Sequence, residues 1–386
     1  MKLLVVGAGM YVTGRGTPDP GTILLALAQA GRRVPIEEVV VCAQQASSAA
    51  DVTRCRELIR GVLGARLPVH YESASELLSS ATLAGRFDGC IVCVPDHLHH
   101  AIGMRVLGAG LHCLMVKPLT PTLREADELL ALQAQQNLYC AVELHKRFDE
   151  GNLMVRRLIG EGELGRLSHI TVEYSQRVRM PREVFASWAS QTNIFQYLGV
   201  HYVDLVHFLT GFVPTRALGV GTRGVLSGAD IDTYDSVHAL VTWCSPHDQS
   251  EQLLAQYAIG WIDPNTSSAM SEQRFSLVGA RGRVDCDQKN RGVSFTREGA
   301  GLEAVNPYFA KVLSTMDGNE FSGYGYRSIE RFVLDLDDLR AGRVTPAELA
   351  PRRPTFQSAR ASTAVIEAVN ASLAQGSSWQ EIHAES

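Results

Sequence analysis

Residues 2–12, KLLVVGAGMYV, begin as an apolar run and end in a glycine turn. After Lys2 the run shows no polar alternation, the pattern of a strand covered on both faces. Gly7-Ala8-Gly9 follows at once. A GxG turn after a first strand lets the main chain approach a dinucleotide pyrophosphate and turns unpaired N–H groups toward its charge. Gly7, Gly9, Met10 and Tyr11 are therefore the first candidate cofactor residues. Val12 stands where a third glycine would complete the motif. The loop continues as TGRGTPDPG, and a helix is expected near Pro20 with Asp19 as its N-cap. Gly9, Gly14, Arg15 and Gly16 approach a nucleotide-triphosphate loop, but that motif needs a lysine and a hydroxyl that are absent here.

Five more short apolar runs follow in the first 145 residues: EEVVVC, LPVHY, GCIVCV, HCLMV and LYCAV. Amphipathic stretches separate them, near 20–31, 51–63, 74–85, 98–109 and 121–136. This alternation predicts a doubly wound parallel sheet with helices on both faces. After Arg147 the pattern changes. FDEGNLMVRRLIGEG reads as a helix. LSHITVEYSQRV, RALGVGTRGV, SVHALVTWC, LLAQYAIGWI and RFSLVGARGRVDC then alternate as strands of an open, mainly antiparallel sheet with one covered face. A helix over 191–211 is one cover, and two more are expected at 325–341 and 354–374. The expected architecture is α/β: a Rossmann domain over 1–145, then an α+β substrate and oligomerisation domain over 146–386 whose C-terminal helices pack back toward the first.

The chain has 386 residues, 45% of them hydrophobic, and a formal net charge of −5. That length calls for about two domains. No basic run supports nucleic acid or an acidic membrane surface as a partner. No apolar run approaches the roughly 18–20 residues needed to cross a bilayer. The N-terminus runs straight into a strand without a leader pattern, so the expected location is cytoplasmic. Cys90 and Cys93 form a CxxC, but inside a buried-strand pattern and with no second cluster, so no metal site is expected.

A dinucleotide fold usually carries a ribose-binding acid at the end of its second strand. Here that strand ends VVVCAQQASS, which places Ala43 and Gln44 where the carboxylate belongs. NAD loses a contact there and a 2′-phosphate is not repelled. Ser47, Ser48 and Arg54 are available to hold such a phosphate, and NAD and NADP both stay open.

Three further stretches carry a family resemblance. VPDHLHHAIGMRVLGAGLHCLMVKPLT resembles the segment of the Gfo/Idh/MocA oxidoreductases with their TPxxxH and EKP motifs, through Pro95 and His99 and through Lys117 and Pro118. AVELHKRFD is similar to a strand end of that family, through His145, Arg147 and Phe148. YLGVHYVDLVHFLTG is similar to its DxGxHxxD helix, through Gly199, His201 and Asp204. The resemblance implies NAD(P)-dependent dehydrogenases or reductases acting on sugars, inositols and nucleotide sugars, many of them dimers or tetramers formed through the open sheet. The chain departs from the motifs in two more places. Val116 replaces the EKP glutamate, leaving Lys117 without that partner, and Tyr197 replaces the aspartate of the helix motif.

Oxidising a secondary alcohol removes a hydride from carbon and a proton from oxygen. His201 has the ordinary pKa, about 6.5, to exchange that proton. A Lys117 ammonium would stabilise alkoxide character. Tyr197, four residues before His201, suits hydrogen-bond donation, since a phenol titrates near about 10. These three are the catalytic candidates. Gln44, Pro95, His99 and Lys117 join the glycine turn as cofactor candidates, and His145, Arg147 and Asp204 are the substrate candidates. Arg177, Arg179 and Arg182, with Trp188 nearby, form either an anion site or a solvated basic edge. Tyr308, Tyr324 and Tyr326 lie in a stretch suited to line a sugar. The expected activity is hydride transfer between a nicotinamide and a sugar, polyol or nucleotide sugar. An NAD-dependent glycoside hydrolase and an inactive dinucleotide-binding regulator remain as alternatives.

Overall fold

The computed structural model describes residues 1–383 except 18, 79–82 and 300. By its contacts the chain forms two compact units. The first comprises Met1–Thr120, Arg124–Phe148 and Tyr308–Ala359, and the second Pro121–Leu123, Asp149–Pro307 and Arg360–Ser386. The stretch Tyr308–Ala359 thus groups with the N-terminal residues although it follows the second unit's strands.

The first unit is built on six strands: β1 (Lys2–Val6), β2 (Glu38–Ala43), β3 (Val69–Ser73), β4 (Gly89–Val92), β5 (His112–Val116) and β6 (Cys140–Glu143). All are parallel, in the order β3-β2-β1-β4-β5-β6. This is the doubly wound order whose ligand crevice opens beyond the carboxyl ends of β1 and β4. The helices are α1 (Met10–Thr13), α2 (Thr22–Ala30), α3 (Ser48–Leu63), α4 (Ala74–Leu77), α5 (His99–Gly108) and α6 (Leu123–Gln136). The helix expected over 74–85 is observed at α4; residues 79–82 lie outside the described ones.

Successive β1 side chains point to opposite faces of the sheet. Leu3 and Val5 join the core under α2 and α3, while Leu4 and Val6 join the core under α5 and α6. Burial on both sides is why the strand reads as a continuous apolar run.

The second unit opens with α7 (Glu150–Gly160), capped by the Asp149 carboxylate on the Gly151 N–H at 2.9 Å. The unit continues with β7 (Leu167–Arg177), a π-helical turn over Phe195–Gly199, α8 (Val200–Thr210), β8 (Val213–Thr222), β9 (Ser236–Cys244), β10 (Gln252–Asp263), β11 (Ser271–Gly279) and β12 (Arg283–Asp287). Two hairpins follow, β13 (Val293–Arg297) with β14 (Gly301–Val305) and β15 (Lys311–Thr315) with β16 (Gly318–Ser322), the latter in the first unit. The chain continues through α9 (Tyr324–Arg340), α10 (Pro346–Leu349), α11 (Phe356–Ala374) and β17 (Gln380–Glu381). The large sheet runs β12-β11-β7-β10-β9-β8-β17 and is antiparallel except between β7 and β10. One face buries Tyr257, Trp261 and Trp243; the other leaves Val220, Leu254 and Ile262 exposed.

The glycine turn is shaped by contacts that only glycine permits. Gly7 has φ +110°, and a Cβ there would lie 2.0 Å from the Cys93 carbonyl oxygen. The expected helix start near Pro20 is corrected: α2 begins at Thr22, with Gly21 as N-cap. A Cβ on Gly21 would sit 2.3 Å from the Val12 backbone. The close packing that a third motif glycine would provide comes instead from the opposing helix, which accounts for Val12 in the motif.

Candidate active site

Five carboxyl-terminal strand ends of the first unit, those of β1, β2, β4, β5 and β6, carry candidate residues. After β1, Gly9 caps α1 in an extended conformation, and a Cβ on it would meet nothing within 4 Å. The first N–H groups of a helix have no intrahelical partner, so Met10 and Tyr11 present donors beside an open space. This arrangement fits a dinucleotide pyrophosphate.

After β4, Pro95 leads a single 3-10 turn, Asp96–Leu98, and His99 starts α5. The buried His99 ring lies between main-chain carbonyls, with Nδ1 at 2.7 Å from Pro118 and 3.3 Å from Leu119 and Nε2 at 3.0 Å from Val94, of which a neutral ring donates to one side only. Burial lowers its pKa. His99 thus clamps the end of β4 to the turn that follows Lys117, as a positioning residue.

After β5 comes Lys117, partly exposed at its surface but with its ammonium largely withdrawn from water. Lost hydration lowers its pKa to about 8, against the fields of Asp96, Glu143 and Cys93. The expectation that Val116 deprives Lys117 of a carboxylate is therefore corrected. In the β5–β6 register Val116 pairs with Glu143. The acid absent from β5 is supplied by the neighbouring strand.

Glu143 is buried and organises the end of β6. It accepts from Ser328 Oγ at 2.6 Å, from His145 Nδ1 at 3.1 Å and from the Tyr11 hydroxyl at 3.4 Å. Burial, then Glu143, holds the Tyr11 phenol well above its ordinary pKa, so Tyr11 donates. The carboxylate selects the His145 tautomer protonated on Nδ1. The His145 ring stacks on Tyr324 (5.7 Å, 29°) and tilts against Phe309 (5.1 Å). Arg147 follows on the same 3-10 turn, partly exposed. Glu143, Asp96, Ser328 and Phe309 were not singled out from sequence. Glu143 alone had a signal there: an acid ending an apolar strand, two residues before a histidine and so on the same side.

Replacing Glu143 by glutamine removes a field that holds the Lys117 pKa up. The alkaline limb of the activity profile should then move to lower pH. A pH–kcat/KM comparison with the unaltered protein checks this, and an unmoved limb would break the proposed link between the two residues.

The segment around His201 lies in the second unit. Tyr197 lies in the π turn, and His201 and Asp204 lie in α8, both almost fully buried. The helix expected over 191–211 is thus π-helical before residue 200. Such insertions recur at functional sites. Tyr197 packs among Phe185 (4.9 Å), Trp188 (5.7 Å) and Trp261 (6.4 Å), and His201 lies against Tyr174 at 6.1 Å. The three arginines before this segment have protein partners: Arg177 on Ser267, Arg179 on Glu183 and Arg182 on the Val225 carbonyl. Gln44 is exposed just past β2. Of the three tyrosines, Tyr324 reaches His145, Tyr326 donates to Glu330 and Tyr308 is exposed.

Two family models match the chain, the "Oxidoreductase family, NAD-binding Rossmann fold" over residues 1–144 and the "GFO/IDH/MocA C-terminal domain" over residues 152–285. The chain belongs to the Gfo/Idh/MocA oxidoreductase family. The scyllo-inositol 2-dehydrogenase (NADP(+)) of Bacillus subtilis is 31% identical over 125 residues, 31% of this chain and 34% of that protein. The UDP-N-acetylglucosamine 3-dehydrogenase of Acidithiobacillus ferrooxidans is 28% identical over 167 residues, 42% and 50% of the two chains. The chain spans a little over a third of the length of the curated relatives it matches first. Over the whole fold, the structure of Lactobacillus casei scyllo-inositol dehydrogenase with bound NAD(H) and scyllo-inositol superposes with a TM-score of 0.67 at 13% identity, covering 99% of this chain and 98% of that one. Among the described residues, no helix is long and apolar enough to cross a membrane, and no cluster of three or more His, Cys, Asp or Glu could hold a metal.

Proposed function

We propose that this chain oxidises or reduces a secondary alcohol–ketone pair on an inositol, sugar or nucleotide sugar, with NAD(P) as the hydride partner. The observation that carries the reading is Lys117, whose desolvated ammonium stands between the Asp96 and Glu143 fields at the carboxyl edge of a dinucleotide-type sheet. Gly7, Gly9, Met10 and Tyr11 would hold the pyrophosphate, and Gln44 and Pro95 border the cofactor. The bound nicotinamide supplies the hydride acceptor or donor. Lys117 stabilises the negative charge that grows on the substrate oxygen as its proton leaves. His201 receives that proton and returns it in reduction. Tyr197 offers a hydrogen bond to a substrate hydroxyl, and His145, Arg147 and Asp204 orient the ring. The names of the relatives make inositols the first substrates to try.

We assign the exposed sheet face with Val220, Leu254 and Ile262 to contact with a second copy, giving a homodimer or homotetramer. Eight unpaired cysteines suit a reducing, cytoplasmic setting.

The test is a screen of inositols, sugars and nucleotide sugars with NAD+ and NADP+, followed at 340 nm. An absorbance rise with at least one of them is expected. Release of free sugar without net absorbance change would reveal a hydrolase, and dinucleotide binding without turnover a regulator.

A further inference from the structure

We infer that Arg15 makes this chain selective for NADP(H), by holding the 2′-phosphate of the adenosine ribose beyond the end of β2. The inference rests on the dinucleotide reading above and deepens it. Arg15 leaves the glycine loop after α1 and crosses to the residues that follow β2. Its Nε donates to Asp51 at 2.6 Å, Nη2 to Ser48 Oγ at 2.6 Å and Nη1 to the Gln45 side-chain oxygen at 3.3 Å. A guanidinium has five N–H donors. Three are used in this way, leaving one on each terminal nitrogen. The side chain is still about a third exposed, at 36%. The one N–H left on each terminal nitrogen of this planar group is suited to phosphate oxygens.

The surroundings favour a phosphate over a ribose hydroxyl. Residues 43–48, AQQASS, carry no carboxylate, and Gln44, Gln45 and Ser47 are exposed. The nearby acid that this structure shows contacting the loop, Asp51, is bound to the Arg15 guanidinium. Arg54, the arginine expected from sequence to meet a 2′-phosphate, has another task. Its Nη1 and Nη2 donate to the Thr17 and Thr13 carbonyls at 3.2 and 3.1 Å. It holds the loop from which Arg15 projects. The Tyr71 hydroxyl donates to the Ala43 carbonyl at 2.9 Å and the Gln45 carbonyl at 3.3 Å, which fixes the turn opposite. The two loops are thus braced separately, and Arg15 bridges them.

The test is calorimetric titration of the full chain, freed of nucleotide, with NADPH and NADH. It compares the unaltered protein with Arg15→Gln, Arg15→Lys and Asp51→Asn. The unaltered protein should bind NADPH at least about tenfold more tightly. Arg15→Gln should weaken NADPH by about tenfold to a hundredfold, the range for one charge-assisted pair, and NADH by less than about threefold. Arg15→Lys, which keeps the charge but not the fork, should fall between. Equal or tighter binding of NADH by the unaltered protein would overturn the inference. So would a selective tenfold loss of NADH in Asp51→Asn, which would make Asp51 the ribose acid. Since the first comparison needs no variant, a misfolded variant leaves the question decidable. Binding of neither nucleotide is a separate result that removes the dinucleotide reading itself.

Discussion

Lys117→Ala should lower kcat by about a thousandfold or more while leaving dinucleotide affinity within about tenfold, because in the proposed mechanism it removes a charge that acts on the developing alkoxide rather than a ground-state contact. The size of the effect follows from where the ammonium sits. In water a lysine charge is well screened, whereas a desolvated one acts at low effective dielectric. The same desolvation gives the pH profile its sign. With a pKa of about 8 the ammonium is charged at neutral pH and loses its proton as pH rises through that value. Activity that depends on the charge should therefore fall above about pH 8. Lys117→Arg should lack that limb, since a guanidinium stays protonated. Folding linkage runs the other way. A lysine whose folded pKa lies below its unfolded value binds its proton less well in the folded state, so it opposes folding at neutral pH. That opposition fades as pH rises from about 8 toward the ordinary lysine value. Lys117→Met should accordingly raise Tm at pH 7 while abolishing turnover. Single-turnover absorbance at 340 nm, nucleotide titration and thermal melts separate the three statements. Full activity in Lys117→Ala would remove the role.

What the sequence made legible was what burial imposes locally. Five of the six parallel strands could be read because they are covered on both faces and so are largely apolar, as GCIVCV is, whereas the edge strand β3 buries only Val69. The strands of the second unit could be read because the sheet has one wet face. β10 alternates from Leu253 through Ala255, Tyr257 and Ile259 on the buried side, with Gln252, Leu254 and Gln256 exposed. The hairpin β13–β14 left no such trace. All five residues of β13, VSFTR, are exposed, so no face imposes a period. The π turn before α8 is equally silent, because one extra residue per turn barely disturbs an apolar pattern this short.

At the site, motif spacing located single residues but not their partners. Lys117 stands out after β5, yet its carboxylate comes through strand register from Glu143, 26 positions further along the chain. Arg15 meets Asp51 across 36 positions. Glu143 is held by Ser328, from a helix that the chain reaches only after the second unit's strands. Pairings of this kind depend on topology, which a linear pattern does not contain.

His201→Ala should reduce kcat by about a hundredfold to ten-thousandfold, the usual worth of a positioned acid–base group, with little change in nucleotide affinity. α8 is an apolar helix in which His201 and Asp204 are both nearly fully buried. His201→Gln keeps a hydrogen-bonding group but cannot accept a proton. If the histidine serves only to position substrate, His201→Gln will recover most of kcat; if it moves the proton, His201→Gln will be as slow as His201→Ala. Tyr197 sharpens the comparison. Its ring packs among Phe185, Trp188 and Trp261, so Tyr197→Phe preserves that packing and removes the hydroxyl alone. A KM increase with kcat nearly intact would make Tyr197 a substrate hydrogen-bond donor. A kcat loss matching that of His201→Ala would instead put the phenol in the proton path, and the two residues would then act as one unit.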